Sequence, residues 1–241
     1  ETNDLPQTDL TSYTRIAPNS PSLYDSFGNL NWENNTFVNP LAYMIQKYQG
    51  KTNNLVSNVN VGYKIIPEVQ VKLSGGYSRT ELNEVQTKPL SSYLPSYGYT
   101  LANVSSIFSN QSVGTWIAEP QVIYSKNISK GSLTLLFGST FQKTSYSGEA
   151  LTGTGFSNES LINSLSQATT IRANSFNRDL YNYMAVYGRV NYNRENKYIL
   201  NLTARKDGSS RFGPDNRFDN FGAIGAAWIF SEENFVKNHL R

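Results

Sequence analysis

Six stretches of this chain repeat one polarity pattern of period two. They are Val59–Val61–Tyr63–Ile65, Val69–Val71–Leu73–Gly75–Tyr77, Trp116–Ala118–Pro120–Val122–Tyr124, Leu133–Leu135–Phe137–Ser139–Phe141, Met184–Val186–Gly188–Val190–Tyr192 and Tyr198–Leu200–Leu202–Ala204. These 28 positions hold no charged residue, although a chain that is 16% charged would place roughly four or five there. The interleaved positions carry Asn58, Asn60, Lys64, Glu68, Gln70, Lys72, Glu119, Gln121, Arg189, Asn191, Asn201 and Arg205. One apolar and one polar face with a period of two is the pattern of a half-buried strand.

Strand length then decides the kind of sheet. Strands in soluble proteins run about 5–6 residues, whereas these alternations run about ten to twelve. Ten residues at about 3.3 Å each, tilted about 45°, span roughly 23 Å, close to the apolar band of an outer-membrane barrel. Connection lengths alternate as well. Short links fall at Ile66–Pro67, Asn127–Gly131 and Arg194–Lys197, and long ones separate the hairpins. The pattern predicts an all-β fold of about seven long antiparallel strands, a segment of a large transmembrane β-barrel with short periplasmic turns and long extracellular loops. The expected hairpins are 55–78, 116–144 and 183–207, followed by a single strand over 218–230. Residues 1–54, 79–115, 145–182 and 208–217 are expected outside the cell, and 231–241 form a periplasmic turn helix.

Aromatic residues mark both edges of the apolar row. Tyr63, Tyr124, Tyr192 and Tyr198 lie near the short turns, and Tyr77, Trp116 and Phe141 near the opposite edge. Amphipathic rings prefer these two interface heights. Mean hydropathy is −0.46, too low for a helical membrane protein but compatible with a barrel, in which only alternate strand residues meet lipid. The net charge of +3 supplies no basic cluster suited to nucleic acid. The chain has no cysteine, which removes disulfides and thiolate metal sites.

The remaining elements are local. Asn39-Pro40-Leu41-Ala42-Tyr43-Met44-Ile45-Gln46 reads as a short helix near 39–48, with Asn39 as N-cap and Pro40 at N1. Ser231-Glu232-Glu233 reads as a second helix start, with Ser231 as N-cap and acidic first-turn residues favoured by the helix dipole. In the strand near 218–230 both rows, Phe221–Ala223–Gly225–Ala227–Ile229 and Gly222–Ile224–Ala226–Trp228–Phe230, are apolar, so its phase stays open. An open sheet in hydrocarbon would leave unpaired edge groups, so an interior segment of a longer polypeptide is expected. Catalytic and metal-binding residues are not expected. The one histidine, His239, provides no Ser–His pair or imidazole cluster, and no phosphate-binding glycine loop opens a helix.

The stretch from Tyr187 to Phe235 resembles the SusC/RagA-type TonB-linked outer-membrane transporters of Bacteroidetes. The resemblance is carried by Gly188-Arg189-Val190-Asn191-Tyr192, Lys197-Tyr198-Ile199-Leu200, and Arg205-Lys206-Asp207-Gly208-Ser209-Ser210-Arg211-Phe212-Gly213. Asn216-Arg217-Phe218, Asn220-Phe221 and Trp228-Ile229-Phe230-Ser231-Glu232-Glu233-Asn234-Phe235 continue it. Ala227 stands where the family usually has Gly. Upstream, Asn39-Pro40-Leu41-Ala42 and Ala118-Glu119-Pro120 are weaker matches.

The resemblance implies an outer-membrane receptor of about 22 strands around a plug, a plugged barrel of the general kind that imports nutrients. It implies no cofactor. The implied partners are outer-membrane lipid, a SusD-like surface lipoprotein, TonB (through regions outside these residues), and a glycan or peptide substrate. Loop aromatics suit stacking on sugars or peptide side chains, and Trp32, Tyr93, Tyr97, Tyr99 and Trp116 are the candidate contacts. The family motif Arg205, Asp207, Gly208, Ser209, Ser210, Arg211, Phe212, Gly213 and Arg217 reads as structural. Asp207–Ser210 is expected to form a turn with Gly208 at positive φ, and Arg205, Asp207, Arg211, Asp215 and Arg217 to share one charge network. The rival reading is a non-transporting all-β surface adhesin or binding domain, whose exposed faces would tolerate charge.

Overall fold

The computed structural model describes residues 2–237, so Asn238 and His239 lie outside the described residues. Eight strands form one antiparallel sheet in strict sequence order. They are β1 (Thr2–Pro6), β2 (Lys47–Ile66), β3 (Val69–Lys88), β4 (Ser105–Ile128), β5 (Gly131–Phe156), β6 (Ala168–Arg194), β7 (Tyr198–Ser209) and β8 (Phe218–Trp228). The all-β antiparallel expectation holds, with eight strands instead of seven. The added one is β1, whose Leu5 lies opposite Tyr48 of β2; five residues ending in proline carry too little alternation to be recognised.

The strands also outrun their apolar rows. β2 and β3 contain 20 residues each, and β4, β5 and β6 contain 24, 26 and 27. Strand therefore occupies much of 79–115 and 145–182, which the sequence marks as loop. The irregular connections shrink to 89–104 and 157–167. A ladder needs only backbone groups, and where both faces are polar the two-residue hydropathy signal disappears while pairing continues.

The chain divides into two compact units. The first comprises the described residues up to Asn54 with Thr80–Val113 and Tyr146–Arg178. Its core is Val104, Phe156 and Ile162, against which Leu90, Leu101 and Ala168 pack. Short 3-10 turns at Leu90–Ser92, Pro95–Tyr97 and Leu101–Asn103 shape the connection between β3 and β4. The Ser106 hydroxyl donates to the Ile162 carbonyl at 2.6 Å, tying the following strand to the connection between β5 and β6. Helix α1 covers only Ala42–Ile45, and its N-cap is Leu41. Asn39 instead accepts from the Leu41 amide at 2.9 Å and, fully buried, donates to the carbonyls of Leu23 and Asn31. The helix stops early because β2 begins at Lys47.

The second unit contains Leu55–Arg79, Gly114–Ser145 and the described residues from Asp179 onward. Its strand register fixes the faces. Opposite residues of an antiparallel pair share a face. Between β6 and β7, Tyr192 lies opposite Leu200, Val190 opposite Leu202 and Gly188 opposite Ala204. Between β7 and β8, Leu200 lies opposite Ala226, Leu202 opposite Ile224 and Tyr198 opposite Trp228. The register thereby phases β8: Gly222, Ile224, Ala226 and Trp228 continue the uncharged row. The other row of β8 joins Asn201 and Thr203, whose neighbour Asn191 donates to Asn201 at 2.6 Å.

Among the described residues, no second layer covers the uncharged row. Tyr63 is 70% exposed, Phe137 61% and Ile224 81%. The five buried hydrophobics among the described residues, Ala42, Val104, Phe156, Ile162 and Ala185, all lie off that row. An apolar face this extensive requires an apolar environment. The turn between β6 and β7 matches its short-link prediction. Glu195 and Asn196 both have positive φ, and the Lys197 amide donates to the Arg194 carbonyl at 3.0 Å, a type I′ turn suited to a twisted hairpin. At the other end of the chain, a 3-10 turn at Phe230–Glu232 precedes helix α2 (Asn234–Lys237). Ser231 lies inside that turn and caps nothing; Ile229 is its N-cap.

Replacing Leu202 with Arg places a cation near the centre of the apolar row and is expected to destabilise the membrane-inserted protein by about 2–4 kcal/mol. Thr203→Arg, on the polar face, should stay within about 0.5 kcal/mol. Folded protein recovered from outer-membrane fractions distinguishes the two, and equal recovery would contradict the facial assignment.

Candidate functional site

In the first unit the aromatic candidates gather on short turns. Tyr93 and Tyr99 meet edge to face with ring centroids 4.8 Å apart, and Tyr97 lies 5.6 Å from Tyr99. Gly98, with φ of 63°, ends the 3-10 turn at Pro95–Tyr97 and allows the chain to reverse between the last two rings. Tyr13 and Tyr43, 5.1 Å apart, form a second pair in the same unit. Neither was singled out from sequence. The hydrogen bond that the Tyr43 hydroxyl donates to Tyr13 pushes the Tyr43 phenol above its ordinary value, with burial adding to it.

The cluster is held by backbone-directed bonds. The Ser96 amide donates to Asn35 Oδ1 at 3.0 Å, and the Ser91 amide to Glu159 Oε1 at 3.1 Å. Thr100 and Asn103 form a capping box around Leu101–Asn103. Trp32 is half-buried just ahead of the 3-10 turn Glu33–Asn35, which supplies the Asn35 contact to Ser96. Tyr93 is partly enclosed, and burial pushes its phenol up, while Tyr97 remains 57% exposed. Such rings offer apolar faces with polar tips, a surface suited to stacking and hydrogen bonding with a polar, partly apolar ligand. Trp116 does not join them. It belongs to the uncharged row of the second unit, where it shares a cleft with Phe141, Met184 and Phe218.

The motif residues occupy the second unit and divide into separate groups. On the polar face, the Arg205 guanidinium pairs with Asp207 and donates to the Tyr183 hydroxyl. It also lies 5.5 Å from the centre of the Tyr187 ring, whose hydroxyl accepts from Gln121 at 3.0 Å. Arg211 stacks instead on Tyr181, 4.7 Å from its centre. Among the described residues, Asp215 and Arg217 make no ion pair, so the expected single charge network is two arginine–tyrosine assemblies. The sequence signal for them was the row Tyr181–Tyr183–Tyr187, in the phase opposite to Met184.

Gly208 corrects the expected turn. It belongs to β7, and Phe218 lies directly opposite it. A Cβ at Gly208 would come within 2.5 Å of the Phe218 ring, so the position is glycine because an aromatic ring crosses it. The chain reverses farther on, over Ser210–Arg217. Ser209 donates its amide to the Arg217 carbonyl at 2.9 Å, and Ser210 exchanges bonds with Asn182: each residue's amide is donated to the other's oxygen at 2.9 Å. Phe212 and Gly213 are exposed in this reversal.

At the short-turn end, Glu233 gathers three donors. Tyr198 Oη, Trp228 Nε1 and Lys197 Nζ donate to its carboxylate at 2.5, 3.1 and 3.2 Å. The Ile229 amide reaches the Lys197 carbonyl at 2.8 Å. The tripod clamps the segment after β8 onto the turn between β6 and β7. Glu232, expected to act with Glu233 in a helix start, pairs with Lys237 at 2.5 Å. No group of three metal-ligating His, Cys, Asp or Glu side chains occurs among the described residues.

A sequential antiparallel sheet with one uncharged, uncovered face and one hydrogen-bonded polar face is the wall of a bacterial outer-membrane barrel. No family model matches the chain, but individual proteins do. It is 28% identical over 234 residues to the TonB-dependent receptor P3 of Formosa agariphila, covering 95% of this chain and 23% of that protein. It is 28% identical over 222 residues to the TonB-dependent receptor SusC of Bacteroides thetaiotaomicron, covering 88% and 21%. The RagAB peptide transporter structure superposes with a TM-score of 0.71 at 19% identity over 79% of this chain and 21% of that one.

Over most of its length the chain is similar to a barrel segment of the SusC/RagA-type TonB-dependent receptors of the Gram-negative outer membrane. It spans about a quarter or less of the curated relatives it matches.

Three donors hold the Glu233 carboxyl below its ordinary value, the Tyr198 hydroxyl most strongly. A depressed carboxylate stabilises above its unfolded-state pKa and loses that contribution as pH falls through the folded value. Protection of the 229–237 backbone, measured by hydrogen exchange corrected for intrinsic rates, is therefore expected to hold at neutral pH and fall on acidification below the ordinary carboxylate range. Glu233→Gln should reduce protection at neutral pH and flatten that pH dependence. Protection equal to the parent's would reject the clamp.

Proposed function

We propose that this segment supplies wall and substrate-facing loop surface to a TonB-dependent importer of large nutrients, oligosaccharides or peptides. A SusD-like surface lipoprotein captures the substrate and TonB transmits energy through parts of the protein outside these residues. The tyrosine cluster carries the substrate-contact reading: Tyr93 and Tyr97 are each brought within ring-contact distance of Tyr99 on a connection ordered by its own core. Phenol rings stack on pyranose faces and on apolar peptide side chains, and their hydroxyls bond either backbone or sugar. Trp32 is the peripheral candidate. Trp116 is left out of this set because it belongs to the uncharged row. The adhesin alternative loses support because the uncharged row remains uncovered over the full width of the second unit.

Tyr97→Ala and Tyr99→Ala in the full-length receptor are expected to lower uptake several-fold with barrel abundance unchanged. Growth of the native host on single polysaccharides or on protein hydrolysate is the readout, after deletion and complementation of the gene. Normal growth of both variants on every source that needs the receptor would reject the contact.

Sidedness is tested separately. Because this segment lacks cysteine, Ser210→Cys should gain labelling by a membrane-impermeant maleimide on intact cells over the unsubstituted receptor. Asn196→Cys, in the short turn, should gain none. The reverse result would invert the proposed orientation.

A further inference from the structure

The uncharged row ends in a feature that barrel-wall duty does not require. Trp116, Phe141, Met184 and Phe218 line a cleft of about 370 Å³ in the second unit, together with Lys143 and Arg217. Lys206 adds a third cation, its ammonium 5.6 Å from the centre of the Phe218 ring. Among the described residues, no carboxylate lines the cleft. Asp207 and Asp219 lie opposite each other on β7 and β8, but in the alternate phase, on the polar face.

The height of the cleft fits a bilayer interface. Gly208 and Phe218 lie ten residues along their strands from the Tyr198–Trp228 pair. At about 3.4 Å per residue and about 45° tilt, this separation is roughly 24 Å, the thickness of the apolar band. The cleft therefore sits at one edge of the hydrocarbon, with the Tyr198–Trp228 pair at the other. Cations at that edge carry little penalty, since lysine stems lie along apolar surface while their ammonium groups reach the headgroup layer. Three cations beside an apolar floor, without a paired carboxylate, complement a molecule that is anionic at its head and hydrocarbon below.

We propose that this cleft binds a phosphorylated lipid of the outer leaflet. Its acyl chains lie along Trp116, Phe141 and Met184, and its phosphate sits among Lys143, Lys206 and Arg217. A free phosphate would leave the apolar floor uncovered, and a neutral lipid would leave the cations without counter-charge. Assignment to the outer leaflet rests on the proposed orientation, because the cleft adjoins Ser209 and Ser210 at the start of the 210–217 connection.

Native mass spectrometry of the full-length receptor in dodecyl maltoside tests this. Diphosphorylated lipid A, its dephosphorylated form and phosphatidylglycerol are added separately. The unsubstituted receptor is expected to retain the diphosphorylated lipid, and Lys143→Gln/Lys206→Gln/Arg217→Gln together to lower its occupancy at least ten-fold. The dephosphorylated form should bind no better to the receptor than the diphosphorylated lipid does to the triple variant. Equal retention by receptor and triple variant, or equal binding of both lipid A forms, overturns the phosphate site. Stronger retention of phosphatidylglycerol overturns the outer-leaflet assignment.

If the triple variant does not fold, Lys206→Gln alone is expected to lose at least three-fold, and no loss overturns the proposal. Tyr97→Ala should retain the lipid as the parent does, which separates failure here from failure of the transport reading.

Discussion

A strand surrounded by hydrocarbon has no water to accept its backbone hydrogen bonds, so each N–H and C=O must be met by a neighbouring strand. The rest of this structure follows from that requirement. Consecutive strands pair in sequence order because a short antiparallel turn returns the chain beside the groups it must satisfy. The type I′ turn at Glu195–Asn196 is one such return, and its handedness matches the strand twist. With the backbone settled, the side chains divide: the outward face needs only to avoid charge, while the other face can hold asparagine pairs and arginine–tyrosine contacts.

This division explains what was legible in the sequence. The absence of charge from alternate positions exposed the membrane-spanning part of each strand, and the pairing of Leu200 with Ala226 and Leu202 with Ile224 extends the same face into β8. β8 itself could not be phased because Ala, Gly and Ile fill both of its rows, and only the neighbouring ladder distinguishes them. Beyond the apolar band, selection against charge ends. Thr80–Lys88 and Ser105–Val113 carry polar residues in both phases, yet they remain strand because pairing is a backbone property.

The site was legible in a different way. Composition alone drew attention to Tyr93, Tyr97 and Tyr99, but their mutual contact depends on Gly98 and on bonds from Asn35 and Glu159 that are distant in sequence. Tyr13 and Tyr43 lay hidden because nothing local marks a tyrosine as part of a cluster. The motif Arg205–Gly213 was recognised while its physics was misassigned. Gly208 looked like turn chemistry, whereas Phe218, ten residues later, dictates it by occupying the space of a side chain. A glycine selected by a cross-strand ring and one selected by positive φ are identical as letters.

The strand alternation of β7 explains why the motif residues serve different surfaces. Along β7, Arg205 and Asp207 point to the polar face, and Lys206 and Gly208 to the other, as a period of two demands. A contiguous motif is therefore read by two environments at once. Arg205 exchanges water for Asp207 and two tyrosines, and Lys206 lies against Phe218 at the hydrocarbon edge. Glu233 performs the corresponding task at the far edge, where Tyr198 and Trp228 place their polar tips on one carboxylate. Each boundary of the apolar band is thus marked by an aromatic residue next to a charge. The contact needs both: the ring lies comfortably in the interface, and the charge resists being drawn deeper, so together they fix the depth at which the wall sits.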